Sequence, residues 1–310
     1  MQRNVPHVLL SGVATYLKNI RAGIEAVAQT RGSHGLVDQS DRYPPGVLPL
    51  ICIDVDGTLV GASGQPTQAV WAAADAAIAR GQHLALSTAR AAFGPTFQWA
   101  RRLDPAGWHV FHAGAALVHT GTGDVIERTL PAAAVDTAMH AAAQHGWTVE
   151  FYAAADYRVS DDSNMAIAHA NLMGVPHTLG GPGDLNGDVV RVQFVIPHEA
   201  VPAATEIMAA HVEVSSATSP VQEGATFVSL TQPGATKAAA LINMAELLDT
   251  TIERVMMVGD GHNDLGAIKT VGHGVAMGNA EPEVKAVANH LVADVAHDGL
   301  ADALELSATL

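Results

Sequence analysis

The chain has 310 residues, 48% of them hydrophobic and only 15% charged, which is more length than one compact core needs and enough apolar material to build two. That composition excludes a disordered chain. A formal net charge of −15 repels phosphate backbones, so nucleic acid is excluded as a partner, and a small anionic substrate needs local help from a metal or a placed lysine.

Residues 8–28 carry Leu9, Val13, Tyr16, Leu17, Ile20, Ile24 and Val27 at helical spacing and predict an amphipathic helix. It reads as an appendage packed on the body or as a dimer contact, so a monomer or homodimer is expected. Lys18 and Arg21 soon follow the apolar patch and no small-residue cleavage site stands out, which argues against a signal peptide. No acid precedes Glu25, so a transit peptide stays open. Residues 31–46, RGSHGLVDQSDRYPPG, form a loop or linker, which makes 1–47 an extension outside the main body. No apolar run approaches the ~20 residues of a membrane span, so no membrane partner is expected.

From residue 48 strands and helices alternate. PLICIDVD is a buried strand, TQAVWAAADAAIARG a helix closed by Gly81, HLALST a strand, PTFQWARRL a helix and WHVFHAG a further strand. ALVHTGTGDVIERTL reads as a hairpin. Residues 131–228 change rhythm to helices with paired strands and predict an inserted α+β unit with an antiparallel sheet. After Pro233 the first pattern returns: ATKAAALINMAELLD as a helix, RVMMVGD as a buried strand, NDLGAIKT as a helix and HGVAMG as a strand. The fold class is therefore α/β: a Rossmann-like parallel-sheet core, residues 48–130 plus 229–310, interrupted by an α+β cap over 131–228. The single cysteine, Cys52, lies in the first apolar strand as a buried core residue, and it fits a reducing, cytoplasmic location.

Three strand ends carry chemistry. The first ends in Asp54 and Asp56, then Gly57 and Thr58. VMMVGDGHND ends in Asp260, Gly261, Asn263 and Asp264. HLALSTAR ends in Ser87, Thr88 and Arg90. Ligands of such sheets bind beyond the carboxyl ends of the strands. Residues i and i+2 of a strand share a face, so Asp54 and Asp56 are expected to reach into one cleft. Crowded carboxylates resist ionisation unless a positive charge intervenes, and a hard divalent cation with oxygen ligands, Mg²⁺, suits them. An isolated Asp-Gly reads as a turn, but D-x-D-G-T is expected by chance only ~0.002 times in a chain of this length. Thr88 alone reads as a cap or turn residue, and Arg90 alone as a surface charge.

DVDGTLV, LSTAR, PGATKAAAL, GDGHNDLGAI and GVAMGNA, in that order, together resemble the haloacid dehalogenase superfamily, in its Cof-type branch with a type IIB cap. The resemblance covers residues 48–306 and implies a Mg²⁺-dependent phosphatase. It implies Asp54 as the nucleophile that becomes an aspartyl-phosphate and Asp56 as the general acid and base. It implies Thr88, Arg90, Lys237 and Asn263 as phosphate or substrate contacts. For the metal it implies Asp54, the Asp56 carbonyl and Asp260, with Asp264 holding the metal shell or Lys237. Lys237 alone reads as a helix-surface lysine; only the resemblance around PGATK gives it this role.

The implied substrate is a small phosphorylated metabolite, a sugar phosphate first. A phosphomutase uses the same residues and stays as the alternative, with a non-catalytic sugar-phosphate sensor behind it. Ala89 stands where the branch usually has Gly, Ala113 where it has Asn, and His262 at a variable position. Tyr157, Arg158, Asn164, His169 and Arg191 are the candidate cap contacts, each also readable as ordinary polarity. The sixteen histidines show no H-E-x-x-H arrangement, so no zinc site is expected.

Overall fold

The computed structural model describes residues 47–218 and 224–310. The predicted helix at 8–28 and its linker lie outside the described residues. In chain order the elements are β1 (Leu50–Ile53), α1 (Gln68–Ala79), β2 (His83–Leu86), α2 (Gly94–Leu103), β3 (Trp108–Phe111), β4 (Ala116–His119) and β5 (Val125–Glu127). There follow α3 (Ala132–His145), β6 (Thr148–Tyr152), β7 (Tyr157–Val159), α4 (Asn164–Met173), β8 (Arg191–Pro197), α5 (Val201–Met208), β9 (Glu213–Thr218) and β10 (Ala225–Thr231). The chain closes with α6 (Lys237–Leu247), β11 (Val255–Gly259), α7 (Leu265–Thr270), β12 (His273–Ala276), α8 (Pro282–Val287), β13 (His290–Leu291) and α9 (Gly299–Leu306).

The first sheet has the order β13-β12-β11-β1-β2 and is parallel throughout. Its central strands read as unbroken apolar runs because both faces are covered; every residue of β1 and of β11 is buried. Register sets Ile53 against Val258, and the Asp54 N–H donates to the Val258 carbonyl at 3.0 Å, so Asp54 and Asp260 leave adjacent strands side by side. Cys52 is fully buried here and burial pushes its thiol pKa up, as a core residue requires.

The second sheet, β7-β6-β8-β10-β9, is antiparallel and lies in sequence between the parts of the first. Strand alternation gives it two unlike faces. Val149, Phe151, Val192, Phe194, Ile196, Val228 and Leu230 join α3 and α5 in one apolar core. The alternate positions, Glu150, Tyr152, Arg191, Gln193 and Ser229, supply the other face, which is polar and largely buried.

Two elements depart from the sequence expectation. WHVFHAG is a strand, but β3 pairs antiparallel with β4 in a separate three-stranded sheet with β5. Among the described residues, β3 is tied parallel to the main sheet by the single bridge Ser87↔Val110. Helix α4 was not expected, because SNMAIAHANLM has a mixed pattern with no clean apolar stripe. Its ends were nevertheless legible: Ser163 accepts from the Ala166 N–H at 3.2 Å as N-cap, and Gly174 closes the helix in the left-handed region. Ser163→Ala is expected to lower stability to urea by about 1 kcal/mol, and Ser163→Asp to retain most of it.

Candidate active site

β1 ends at Ile53, and the chain turns before either motif aspartate has passed. The Leu59 N–H returns to the Asp54 carbonyl at 3.2 Å and the Val60 N–H to the Val55 carbonyl at 2.9 Å. The strand alternation expected to aim Asp54 and Asp56 together therefore does not operate; the turn aims them. Asp54 is buried against Lys237, whereas the Asp56 side chain is 67% exposed and faces Arg90. Gly57 has φ +81° at this turn, and a Cβ there would lie 2.1 Å from Asp260 Oδ2, so glycine is required both by conformation and by space.

Lys237 is the first residue of α6, entered through Thr236, whose hydroxyl accepts from the Ala239 N–H at 3.2 Å. Its Nζ donates to Asp54 Oδ1 at 2.6 Å and to Asp264 Oδ1 at 2.6 Å, with all three side chains essentially buried. The second Asp264 oxygen accepts from the backbone N–H groups of Asp260 and Gly261, both at 3.1 Å. Asp264 is thus fixed at both ends, and it fixes Lys237. Asp260 takes the Thr58 hydroxyl on Oδ1 and the Asn279 amide on Oδ2, each at 3.1 Å. Asn279 also donates to the Gly57 carbonyl at 2.9 Å, tying the two acidic turns together.

One carboxylate oxygen from each of Asp54, Asp260 and Asp264 lies within 4.8 Å of the others. Three carboxylates thus share one ammonium. Burial, and after it the Asp264 carboxylate, push the Asp54 carboxyl well up against the pull of Lys237. Burial and then Asp264 push Asp260 up to about 6, with Thr58 and Lys237 opposing. Burial works against the Lys237 ammonium, but Asp264 and Asp54 hold its pKa above the ordinary lysine value. A cluster of hard oxygen donors in which Asp54 and Asp260 ionise reluctantly fits a divalent cation such as Mg²⁺.

The third strand end forms a loop around Thr88. Its N–H donates to the Val110 carbonyl at 3.0 Å, its hydroxyl accepts from the Arg90 N–H at 3.1 Å, and its carbonyl accepts from the Ala113 N–H at 2.9 Å. Arg90 grips Asp56 as a fork, Nε to Oδ2 at 2.9 Å and Nη2 to Oδ1 at 2.6 Å, while its guanidinium carbon sits 5.5 Å from the Trp99 ring centre. Asn263 is exposed in the short turn between Gly261 and Asp264. Ala113 has a left-handed φ of +57°.

The cap candidates divide. Arg191 reaches across to the Ala89 carbonyl at 2.6 Å. Tyr157 and His169 instead converge on the buried Glu150, at 3.3 and 2.7 Å. Arg158 pairs locally with Asp156 at 2.6 Å, and Asn164 is exposed in the first turn of α4. Sequence reasoning missed Thr58, Asn279 and Glu150 as site or support residues. Thr58 and Asn279 stood inside quoted motifs without a role. The signal for Glu150 was a glutamate at a core position of a strand otherwise apolar or aromatic.

A family model of haloacid dehalogenase-like hydrolases matches residues 51–304. The putative phosphatase YxeH of Bacillus subtilis is 26% identical over 262 residues, 82% of this chain and 96% of that protein. The 5-amino-6-(5-phospho-D-ribitylamino)uracil phosphatase YcsE of Bacillus subtilis is 43% identical over 79 residues, but that match spans only 26% of this chain and 32% of that protein. Among solved structures, a haloacid dehalogenase-like hydrolase from Bacteroides thetaiotaomicron superposes with a TM-score of 0.72 at 24% identity, over 83% of this chain and 98% of the other. The HAD subclass IIB sugar phosphatase BT4131 gives 0.71 at 22% identity, over 84% and 99%. At these identities the superpositions speak for the fold. No helix among the described residues is long and apolar enough to cross a membrane.

Replacing Lys237 by Met strands two buried carboxylates without their counter-charge. The variant is expected to lose roughly 3–5 kcal/mol of stability in urea unfolding of the metal-free protein.

Proposed function

The chain belongs to the haloacid dehalogenase-like hydrolases as a Cof-type phosphatase, and we propose that it hydrolyses a small phosphorylated metabolite, a sugar phosphate first, through an aspartyl-phosphate on Asp54. The observation that carries this reading is the Lys237 ammonium held 2.6 Å from both Asp54 and Asp264, beside Asp260, at the carboxyl edge of a parallel sheet.

In this reading an Asp54 carboxylate oxygen attacks phosphorus and the phosphorus–oxygen ester bond breaks. Asp56 gives its proton to the leaving alcohol oxygen. Asp56, now a carboxylate, takes a proton from water, whose oxygen attacks phosphorus, frees inorganic phosphate and restores Asp54. The Lys237 ammonium and the Thr88 hydroxyl hold equatorial phosphoryl oxygens. Arg90 exchanges its fork on Asp56 for the phosphoryl group or the substrate. That exchange frees the Asp56 oxygens for proton transfer. Asn263 contacts phosphate or substrate from the exposed turn. Asp264 acts through Lys237, since its oxygens are taken by the ammonium and two backbone N–H groups.

Asp54, Asp260 and the Asp56 carbonyl, with Asp264 behind them, would hold Mg²⁺, which would supply positive charge against the phosphoryl oxygens. The cap selects the leaving group and excludes water while it is docked. The lone buried thiol suits a cytoplasmic setting.

Phosphate release from p-nitrophenyl phosphate and a panel of sugar monophosphates tests the reading. Release that EDTA abolishes, and that Asp54→Asn abolishes in a folded protein, is expected; full activity in that variant overturns the aspartyl-phosphate. A sugar phosphate that isomerises without releasing phosphate identifies a mutase instead. A second expectation concerns pH. The folded Asp260 carboxyl titrates at about 6 against an ordinary 3.8, so in metal-free protein its contribution to stability is lost as pH rises through that window. A cation removes that penalty, so saturating Mg²⁺ should raise Tm more at about pH 7.5 than at about pH 5.

A further inference from the structure

The polar face of the cap sheet reaches the Thr88 loop through one side chain. Arg191 opens β8 and is only 6% exposed. Its Nη1 donates to the Ala89 carbonyl at 2.6 Å, and its guanidinium carbon lies 3.9 Å from the centre of the Tyr152 ring. Tyr152 cannot drift, because its hydroxyl donates to Glu150 at 2.7 Å. Glu150 in turn accepts from Gln193 at 2.7 Å and from Tyr157 at 3.3 Å, and it faces His169 Nδ1 at 2.7 Å. Glu150, Tyr152 and Arg191 therefore form a braced line from the interior of the cap to the core.

What that line touches gives it a use. Ala89 lies between Thr88 and Arg90, and the three carbonyls of this loop are held from two sides. The Thr88 carbonyl takes the Ala113 N–H and the Arg90 carbonyl takes the His112 N–H, both at 2.9 Å and both from the core. The middle carbonyl alone is held by the cap. Beside it, His112 Nε2 meets the Ala154 carbonyl of the cap at 3.1 Å, and the rest of this junction is an apolar cluster in which Ala91, Ala115, Ala235 and Phe93 meet Tyr152, Tyr157, Val159 and Val190. Apolar contacts are not directional and tolerate sliding, whereas a charge-assisted hydrogen bond sets distance and angle. Arg191 forms no ion pair among the described residues, and its Nε has no hydrogen-bond acceptor there. A buried guanidinium without a carboxylate is a costly way to join two layers that an apolar residue would join by packing alone.

We propose that Arg191 is a positioning residue that couples the cap to the catalytic loop: the Thr88 hydroxyl and the Arg90 guanidinium hold their working positions only while Arg191 grips the Ala89 carbonyl. This rests on the phosphatase reading for its kinetic consequence. Its structural consequence stands independently of that reading.

The test compares the full chain with R191M and R191K, by hydrogen–deuterium exchange and by steady-state hydrolysis of p-nitrophenyl phosphate. R191M is expected to exchange faster across residues 88–90 and 112–113, with β1 and β11 unchanged. Its kcat should fall about 10²-fold while KM moves less than about threefold. R191K keeps an N–H for Ala89 but loses the flat stack on Tyr152, so it should fall between wild type and R191M in both readouts. Unchanged exchange in the two loops overturns the coupling, as does faster exchange with an unchanged kcat. If R191M does not fold, R191K decides alone: slower turnover with faster loop exchange supports the coupling, and wild-type values in both overturn it. If wild-type protein releases no phosphate, the phosphatase reading fails and the exchange comparison still decides whether Arg191 holds the loop.

Discussion

The Lys237 ammonium sits in a pocket of carboxylates, 2.6 Å from Asp54 on one side and from Asp264 on the other, and the neighbouring structure is arranged to keep it there. Without it, Asp54 and Asp264 would face each other in a buried space with no side-chain counter-charge between them. With it, Asp54 is aimed, and Asp264 is held on its other oxygen by two backbone N–H groups of its own turn. The contact joins the end of β1, the start of α6 and the turn after β11, which are far apart in sequence. A parallel sheet is a rigid way to bring such ends to one edge, because each strand must return through a crossover and all strands finish on the same side.

Around this pair the molecule still lacks positive charge. Asp260 is held back to about 6 by burial and by Asp264, and Thr58 and Asn279 fix its oxygens without neutralising them. Gly57 lets the first turn approach so closely that a side chain would collide with Asp260. Two acidic turns packed this tightly offer oxygen donors that suit a divalent cation. On the exposed rim the logic differs. The Arg90–Asp56 fork is solvent-accessible, with side-chain exposures of 37% and 67%, so it can open at small cost. The buried pair is fixed and the exposed pair is exchangeable, which divides the site into a rigid floor and an adjustable rim.

The cap shows how one strand period can serve two ends. Odd positions of TVEFY face the loop-side polar cluster and even positions face the apolar core under α3 and α5. The polar set was hard to see in the sequence. Glu150, Arg191 and Gln193 each stand alone among apolar neighbours, and only the sheet register brings them onto one face. His169 looked like a possible substrate contact, yet it belongs to the Glu150 cluster because α4, an element the periodicity did not announce, carries it there. Arg158 looked equivalent to Arg191, and it turned inward on Asp156 because the two residues lie within one short connection and strand.

The sequence by itself determined the alternating α/β core, the interrupting antiparallel unit, and the strand ends that carry Asp54, Asp56, Thr88, Arg90, Asp260, Asn263 and Asp264. These are local facts, written in runs of buried residues followed by turn residues, and hydrophobic period and turn chemistry act over a few positions. It could not determine which acid faces which cation. Asp54 and Asp56 seemed to share a strand face, but the strand stops at Ile53, and the turn sends one to Lys237 and the other to Arg90. Nor could it join Arg191 to Ala89, 102 positions away. Such pairings are settled only when packing fixes the distance between chain segments, because a charge chooses its partner by proximity and burial and not by its place in the chain.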